Sequence, residues 1–429
     1  MPDIRAFKGV LYNPQKINDI AKVITEPYDV INPAQQQAYY ELHPYNIINL
    51  ILGKKTLKDS AKNNQYTRAK EYFAQWQKEN VLLRDKKKSI YIYSQSFPYD
   101  GKIKTRTGFI ALMKLEDFAK NSVLPHENTF SGPVQDRLRL LQTVGANLSP
   151  IFALCGDQKG KINKLLSVHK RKHKPYFVFE KEGVVHRLWK MSDRKNIAVI
   201  KRLLKDQQIF IADGHHRYEA ALNYKKNREK DRKIKCNGCD YNYVMTYLAT
   251  TTDKGLTILP THRALKIKSG IKPEEVVSCL KKSLPVRSFS SSAELFAYMR
   301  RQPPLKSVFG MYLEGKFYCL LLKNTSRVYR LVDSKKNRFS QSLDVAILHN
   351  CIIHKILNIS PAQGDIFYTR DAQEAIYFVD QDKYQLAFFL RPTTVREVKK
   401  VAKAGERMPH KSTYFYPKLV TGLVVNALD

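Results

Sequence analysis

Apolar residues recur along the chain at two spacings, which predicts a mixture of strands and helices. Alternating or continuous apolar runs predict strands in the first half of the chain at residues 4–10, 46–52, 90–97, 106–115, 209–211 and 243–250. Apolar residues three to four positions apart predict helices at residues 32–42, 59–79 and 197–204. Residues 124–151 are polar and contain Pro and Gly, so we expect loops there.

The pattern changes after residue 264, where short strands and helices alternate. The second half is predicted to contain helices at 273–284, 343–357 and 395–404, with strands at 308–313, 317–322, 328–331, 376–378 and 385–390. The chain is therefore expected to be a mixed α+β protein of two domains, 1–265 and 266–429. The C-terminal end of the second domain can fold back to a binding site in the first domain.

Charge is the strongest feature of the composition. The chain carries 74 Lys and Arg against 39 Asp and Glu, a formal net charge of +35. Such a charge attracts polyanions, including nucleic acid and nucleotides. A solvated, lysine-rich surface explains the same number, because the basic residues are spread along the whole chain.

The chain shows neither a membrane span nor a secretory leader in its sequence pattern. No run of about 18 apolar residues occurs, and the first residues lack the charged-then-apolar layout of a signal peptide. The six cysteines are sparse, which is typical of reduced thiols, and Cys236 and Cys239 are interpreted as a chance pair in a turn. We therefore expect a cytoplasmic protein that does not enter membranes.

One of the predicted strands runs directly into a turn that opens a helix, Ala212-Asp213-Gly214-His215-His216-Arg217. A helix N-terminus offers free N–H groups and the positive end of the helix dipole, and Gly214 lets the backbone approach an anion. His215 and His216 add donors, and Arg217 can bind phosphate with two hydrogen bonds. Asp213 can cap the helix or hold Mg²⁺. The alternative is a capped helix with surface histidines.

This turn resembles the phosphate-binding turn of the ParB/sulfiredoxin superfamily, which includes nucleotide-dependent free serine kinases. From end to end the chain resembles the DUF1015 family, in residues 26–31, 43–46, 147–152, 212–222, 259–263 and 408–418. His410 departs from the family pattern, which favours Gln there. The resemblance implies a ParB/sulfiredoxin-like nucleotide-binding core with inserted elements in the first domain. It also implies ATP or ADP with Mg²⁺ as cofactors.

A glutamate near the N-terminus acts as general base in the serine kinases, and Glu26 is the position that best matches it. A carboxylate can take the proton from an attacking hydroxyl while cations hold the phosphates. Because Pro27 follows Glu26, this residue is expected in extended or turn backbone. Asp29 is an alternative base, metal ligand or substrate-binding residue. The alternative for Glu26 is that it is an ordinary loop carboxylate without a catalytic role.

Two further polar groups are candidates for binding. His126, Glu127, Thr129, Arg137 and His262 are interpreted as substrate-binding residues or, equally, as a structural network. A second anion-binding patch is predicted near the C-terminus at Lys411, Ser412, Thr413 and Lys418. It is not a P-loop, since no Gly-rich turn precedes it.

The turn therefore predicts phosphate binding, and the resemblance to the serine kinases implies a phosphotransferase that uses ATP or ADP to phosphorylate a small hydroxyl compound, with free L-serine as the first choice. Glu26, Asp213 and His215 are the predicted catalytic residues. One alternative is a ParB-like nucleotide-binding regulator associated with nucleic acid, which the charge permits but no DNA- or RNA-binding motif favours. Another is a phosphohydrolase or nuclease that uses the same phosphate site.

Overall fold

The structure is a computed structural model in which residues 3–157, 159–232, 236, 238–268, 271–303, 306–322, 338–362 and 364–428 are described. These residues form a mixed α+β protein, as the sequence pattern predicted. The chain divides into two compact units. Unit 1 contains Met1–Pro125, Thr129–Leu256 and Pro417–Asp429, and unit 2 contains His126–Asn128 and Thr257–Tyr416.

Unit 1 contains most of the long strands and the longest helices. Its strands are β1 (Ile4–Arg5), β2 (Val10–Tyr12), β3 (Leu82–Arg84), β4 (Ile90–Tyr99), β5 (Lys102–Lys114), β6 (Val123–Leu124), β7 (Ala146–Asn147), β8 (Ile151–Cys155), β9 (Phe177–Lys181), β10 (Val184–Met191), β11 (Ile209–Asp213) and β12 (Tyr243–Thr250). Its α-helices are α1 (Pro33–Leu42), α2 (Ile48–Ile51), α3 (Gln65–Lys78), α4 (Ser131–Val144), α5 (Lys161–Lys172), α6 (Arg194–Leu204) and α7 (His215–Arg232).

The main sheet of unit 1 has the strand order β6-β11-β8-β12-β5-β4-β10-β9, with β1 paired to β5. The pairs β11–β6 and β12–β8 are parallel, and the other pairs are antiparallel. Alternate residues of the central strands, such as Ile151, Ala153 and Cys155 of β8, share one buried core with α5, α6 and α7. That spacing of two is what a strand needs to bury one face.

Unit 2 is built around a second sheet. The strands of this unit are β13 (Thr257–Leu259), β14 (His262–Leu265), β15 (Val286–Phe289), β16 (Ser307–Leu313), β17 (Lys316–Leu322), β18 (Ile366–Thr369), β19 (Leu386–Phe389) and β20 (Tyr414–Tyr416). The order of strands in the second sheet is β15-β17-β16-β19-β14-β18. Its helices are α8 (Pro273–Ser283), α9 (Ser292–Arg301), α10 (Arg338–Gln341), α11 (Asp344–Ile347), a π-helix (Leu348–Ile356), α12 (Ala372–Asp380) and α13 (Val395–Lys403). The last strand, β21 (Asn426–Ala427), belongs to unit 1 and pairs with β7.

Three predicted elements were wrong. The apolar run at 46–52 contains α2, whose first amide, that of Ile48, donates to Asn46 Oδ1 over 2.9 Å. Residues 376–378 lie within α12, and the predicted loops at 124–151 contain α4. A short apolar run fits a buried helix as well as a strand, so periodicity could not separate them. The strand predicted at 328–331 lies outside the described residues.

The pairing of two cysteines corrects a further prediction. Cys236 and Cys239 form a disulfide, with their Cα atoms 5.6 Å apart. This Cα separation lies in the usual range for a disulfide, and the spacing in the sequence did not require the bond. Among the described residues, no helix combines the length and apolar character needed to cross a membrane.

Candidate functional site

The predicted turn after β11 is the centre of the candidate site. Gly214 has φ +88°, and an added Cβ would lie 2.9 Å from a guanidinium nitrogen of Arg217. Glycine is needed here both for the left-handed backbone and for the space that Arg217 occupies. Helix α7 is then fixed against the core by Tyr218, whose hydroxyl donates to the Glu116 carbonyl over 2.7 Å.

Asp213 lies between two cations. Its Oδ2 accepts from Arg217 over 2.8 Å, and its Oδ1 accepts from Lys418 Nζ over 2.5 Å. Burial alone would raise the pKa of Asp213, but the charges of Lys418 and Arg217 outweigh burial and hold that pKa well below its usual range. Two cations against one carboxylate leave a net charge of +1 in this group, which we call the Asp213 cluster.

Arg217 keeps hydrogen-bonding capacity inside this cluster. Its side chain is only 10% exposed, and one guanidinium nitrogen donates to the Pro150 carbonyl. Its Nε is buried and has no hydrogen-bond partner among the described residues. A buried donor without an acceptor is costly, so this group favours an incoming anion.

A small cavity of about 50 Å³ adjoins Arg217. Its wall includes Tyr28, Arg137, Asn147 and Ser149. The Arg137 guanidinium carbon lies 4.0 Å from the centre of the Tyr28 ring, and Arg137 also pairs with Asp136. Burial, followed by the charge of Asp29, raises the pKa of Tyr28 to about 12, so its hydroxyl is a donor at neutral pH.

The C-terminal segment completes this site, and it is held there by residues that sequence analysis missed. Gln95 Nε2 donates to the Lys418 carbonyl over 2.9 Å, and Arg106 donates to the Pro417 carbonyl over 2.5 Å. Thr421 forms a β-bridge with Thr25, with N···O distances of 3.3 and 2.7 Å. One signal was present in the sequence, since Arg106 is a charged residue at the start of the apolar run predicted as a strand at 106–115.

Glu26 is held next to the same C-terminal segment, because Thr25 forms the bridge described above. The hydroxyl of Tyr39 donates to Glu26 Oε2, and Lys181 Nζ lies 4.0 Å from Glu26 Oε1. Burial and the bond to Glu26 raise the pKa of Tyr39. Asp29, the alternative base, is exposed.

The two histidines of the turn have different surroundings. His215 is buried at 6% exposure. The Nε2 of His216 accepts from the Phe130 amide over 3.1 Å, and its ring stacks on Phe130. Next to Phe130, the hydroxyl of Thr129 donates to Glu219, a residue of α7.

The remaining predicted site residues lie in unit 2. His126 Nε2 is 3.0 Å from Thr413 Oγ1, which donates to Glu127 Oε1 over 3.4 Å. His262 Nδ1 accepts from the Leu390 amide over 3.3 Å, and burial, followed by the charge of Arg263, lowers the pKa of His262 to about 4. Lys411 and Ser412 belong to this unit as well. The predicted substrate and anion residues are thus divided between the units.

The structure does not favour Asp213 as a magnesium ligand. Both of its carboxylate oxygens accept hydrogen bonds from cations, and a divalent ion would compete with Arg217 and Lys418. No group of three or more His, Cys, Asp or Glu side chains suited to a metal occurs within the described ranges. Asp213, whose two carboxylate oxygens are both paired with cations, therefore does not fit the predicted magnesium site.

Replacing Asp213 with Asn is expected to lower the free energy of unfolding of unit 1 by about 3 kcal/mol at pH 7, because two largely buried cations lose their counter-charge. The folded pKa of Asp213 lies below its unfolded value. The stabilisation is therefore present above the unfolded pKa of about 4 and is lost as pH falls further. Urea unfolding followed by tryptophan fluorescence measures this, since Trp76 and Trp189 both lie in unit 1.

The matched control is Asp206→Asn, which removes an exposed carboxylate of the same unit. It should leave both the unfolding free energy and its dependence on pH unchanged. Equal stabilities for the Asp213→Asn variant and the wild type at pH 7 would contradict the role assigned to the Asp213 cluster.

Comparison with known proteins gives one family match. The family model described as "Protein of unknown function (DUF1015)" matches residues 4–346. No curated protein matches the chain.

Similarity to solved structures is weak. A conserved hypothetical protein from Pyrococcus furiosus is 14% identical, covering 72% of this chain and 92% of its own, with a TM-score of 0.33. A free serine kinase, a glutamate-to-glutamine variant in complex with AMP, is 13% identical. It covers 71% of this chain and 87% of its own, with a TM-score of 0.35. SbnI with a C-terminal truncation, from Staphylococcus aureus, is 12% identical. It covers 72% of this chain and 84% of its own, with a TM-score of 0.34.

Proposed function

The chain belongs to the DUF1015 family, and we propose that unit 1 of this member binds ATP or ADP and transfers a phosphoryl group to a small hydroxyl compound. Free L-serine is the first acceptor to test. The nucleotide phosphates lie against the Gly214 turn in this proposal, which assigns a ParB/sulfiredoxin-like role to β11 and α7.

The proposal rests on the unused hydrogen-bonding capacity and the charge of Arg217. Its buried Nε lacks an acceptor among the described residues, and the Asp213 cluster has one positive charge in excess. A phosphate oxygen supplies both the missing acceptor and the missing negative charge. The amides at the start of α7 and the helix dipole act in the same direction.

Glu26 has the chemistry required of the general base. The acceptor oxygen attacks the terminal phosphorus, the bond from that phosphorus to the nucleotide oxygen breaks, and the hydroxyl proton passes to the Glu26 carboxylate. Tyr39 and Lys181 orient this carboxylate. Two contacts of Thr421 connect Glu26 to the cavity wall. Thr421 forms the bridge with Thr25, the neighbour of Glu26, and it makes a 3.0 Å hydrogen bond with Ser149 of the wall.

Product analysis tests the proposal. The full chain is incubated with ATP or ADP and with L-serine, L-threonine, homoserine or small sugars, and ³¹P NMR identifies the products. We expect a phosphate ester that forms only when an acceptor is present. Free phosphate without an ester would instead indicate a phosphohydrolase. Binding without turnover would indicate a nucleotide-dependent regulator.

A further inference from the structure

A second, larger concavity lies on unit 1 and shares no residue with the cavity at Arg217. It has a volume of about 1240 Å³ and is formed by β1, the loop before β4, the end of α5, the end of β10 and the first turns of α6. The strand order places β10 on the half of the main sheet away from β11. We call this concavity the basic groove and define it by Lys86, Lys87, Lys88, Lys172, His173 and Arg194.

Lys and Arg make up a larger share of the basic groove than of the chain as a whole. Eight of the sixteen described residues that line it are Lys or Arg, against one Asp, whereas Lys and Arg make up 74 of the 429 residues of the chain. Lys86, Lys87, Lys88, Lys172 and Arg194 are exposed. Within the described part of the chain, none of these five has a carboxylate within 4.0 Å.

The position of these charges is set by the fold. Three consecutive lysines stand in the tight connection between β3 and β4, and Lys172 ends α5. Other lysines of the groove do have counter-charges, since Lys190 lies 2.6 Å from Asp85 and Lys201 lies 3.3 Å from Asp3. Like charges that lie close together without counter-charges repel one another. A polyanion that binds in the groove relieves this repulsion, so its binding is favourable.

A pair of stacked imidazole rings lies within the groove. The rings of His169 and His173 have centroids 4.1 Å apart at an angle of 17°. His169 is buried and His173 is exposed, so the His173 ring is accessible from solvent. Trp189 Nε1 donates to the His173 carbonyl over 3.1 Å, which fixes the backbone below the ring. A fixed ring beside lysines provides both a stacking surface and a phosphate-binding surface.

We propose that the basic groove binds single-stranded nucleic acid, with its phosphates on the lysines and Arg194 and one base stacked on His173. A flat lipid bilayer cannot enter a concave groove. A duplex keeps its bases stacked on one another, so its bases would not stack on the exposed His173 ring. Single-stranded nucleic acid matches both the charges and the ring.

The test measures fluorescence anisotropy of a labelled oligouridylate of about 16 nucleotides with the full chain at increasing salt. The Lys86→Ala, Lys87→Ala, Lys88→Ala triple variant is expected to bind about tenfold more weakly, or weaker still. Its slope of log K against log salt should fall in magnitude by about 2, at roughly 0.7 for each phosphate that is no longer neutralised. The matched control removes three exposed lysines of unit 1 outside the groove, by Lys55→Ala, Lys58→Ala and Lys62→Ala, and should bind like the wild type.

A second pair of variants tests the stacking of a base. His173→Ala should weaken binding about tenfold, and His173→Phe should retain it, because an aromatic ring preserves stacking. Equal weakening in the two triple variants would overturn the proposal. The proposal would also be overturned by two results obtained together. Inorganic polyphosphate of matched charge would displace the oligonucleotide completely, and His173→Ala would bind the oligonucleotide as tightly as the wild type, which would indicate a site for any polyanion. Binding of anionic vesicles in place of the oligonucleotide would overturn it as well.

Discussion

Replacing Arg217 with alanine is expected to lower the affinity of the chain for ADP and ATP by about 100-fold or more. Each charge-assisted hydrogen bond from a guanidinium contributes about 1.5–3 kcal/mol, and the proposal assigns at least one such bond and the cluster's excess charge to the phosphate. Removing the side chain leaves Asp213 neutralised by Lys418 alone, so no net positive charge remains in the cluster. Isothermal titration calorimetry with each nucleotide measures the decrease.

Arg217→Lys is the control for charge alone. A lysine keeps the positive charge but lacks the planar fork, so we expect it to recover only part of the affinity. Tryptophan fluorescence of each variant establishes that unit 1 is folded. Unchanged affinity in a folded Arg217→Ala variant would exclude the Gly214 turn as the phosphate site.

Glu26→Gln is expected to reduce the rate of phosphoryl transfer by about 10²- to 10⁴-fold, the usual contribution of a general base. Glutamine has nearly the same shape as glutamate and can still accept from the Tyr39 hydroxyl, so the fold is preserved. Nucleotide affinity should not change, because Glu26 is assigned to the hydroxyl and not to the phosphates. Initial rates at saturating nucleotide and acceptor measure the effect.

Glu180→Gln is the matched control, since Glu180 is an exposed carboxylate of the same strand, β9, as Lys181. It should retain the full rate. If Glu26→Gln also retained it, the base would have to be sought elsewhere, and the exposed Asp29 would be the next residue to test.

The local part of the site could be predicted from the sequence. An apolar strand, a glycine and a helix start lie within nine consecutive residues, and each has a signal that depends only on its neighbours. The structure places β11, Gly214 and α7 in that order, and it brings Arg217 back over the glycine.

The long-range part could not be predicted in the same way. Lys418 and Asp213 are 205 residues apart, and no local pattern indicates that a lysine near the chain end neutralises this aspartate. The same limit applies to Lys181 and Glu26, and to the hydrogen bond between Ser149 and Thr421. The prediction of Asp213 as a magnesium ligand did not take Lys418 into account, because this partner cannot be recognised from the segment around Asp213.

Helix α4 shows a limit of a different kind. Its buried residues Val134, Leu138 and Leu141 follow helical spacing, but Gly132, Pro133 and the polar residues between them suggested a loop. Tertiary burial of one apolar stripe outweighed the local turn signals.

The most direct test of the central claim is a crystal structure of the full chain soaked with ADP. We predict that the terminal phosphate of the nucleotide lies at the start of α7 and accepts a hydrogen bond from Arg217 Nε, which has no acceptor in the described part of the chain. A nucleotide bound anywhere else, with Arg217 Nε still lacking an acceptor, would contradict the proposed phosphate site.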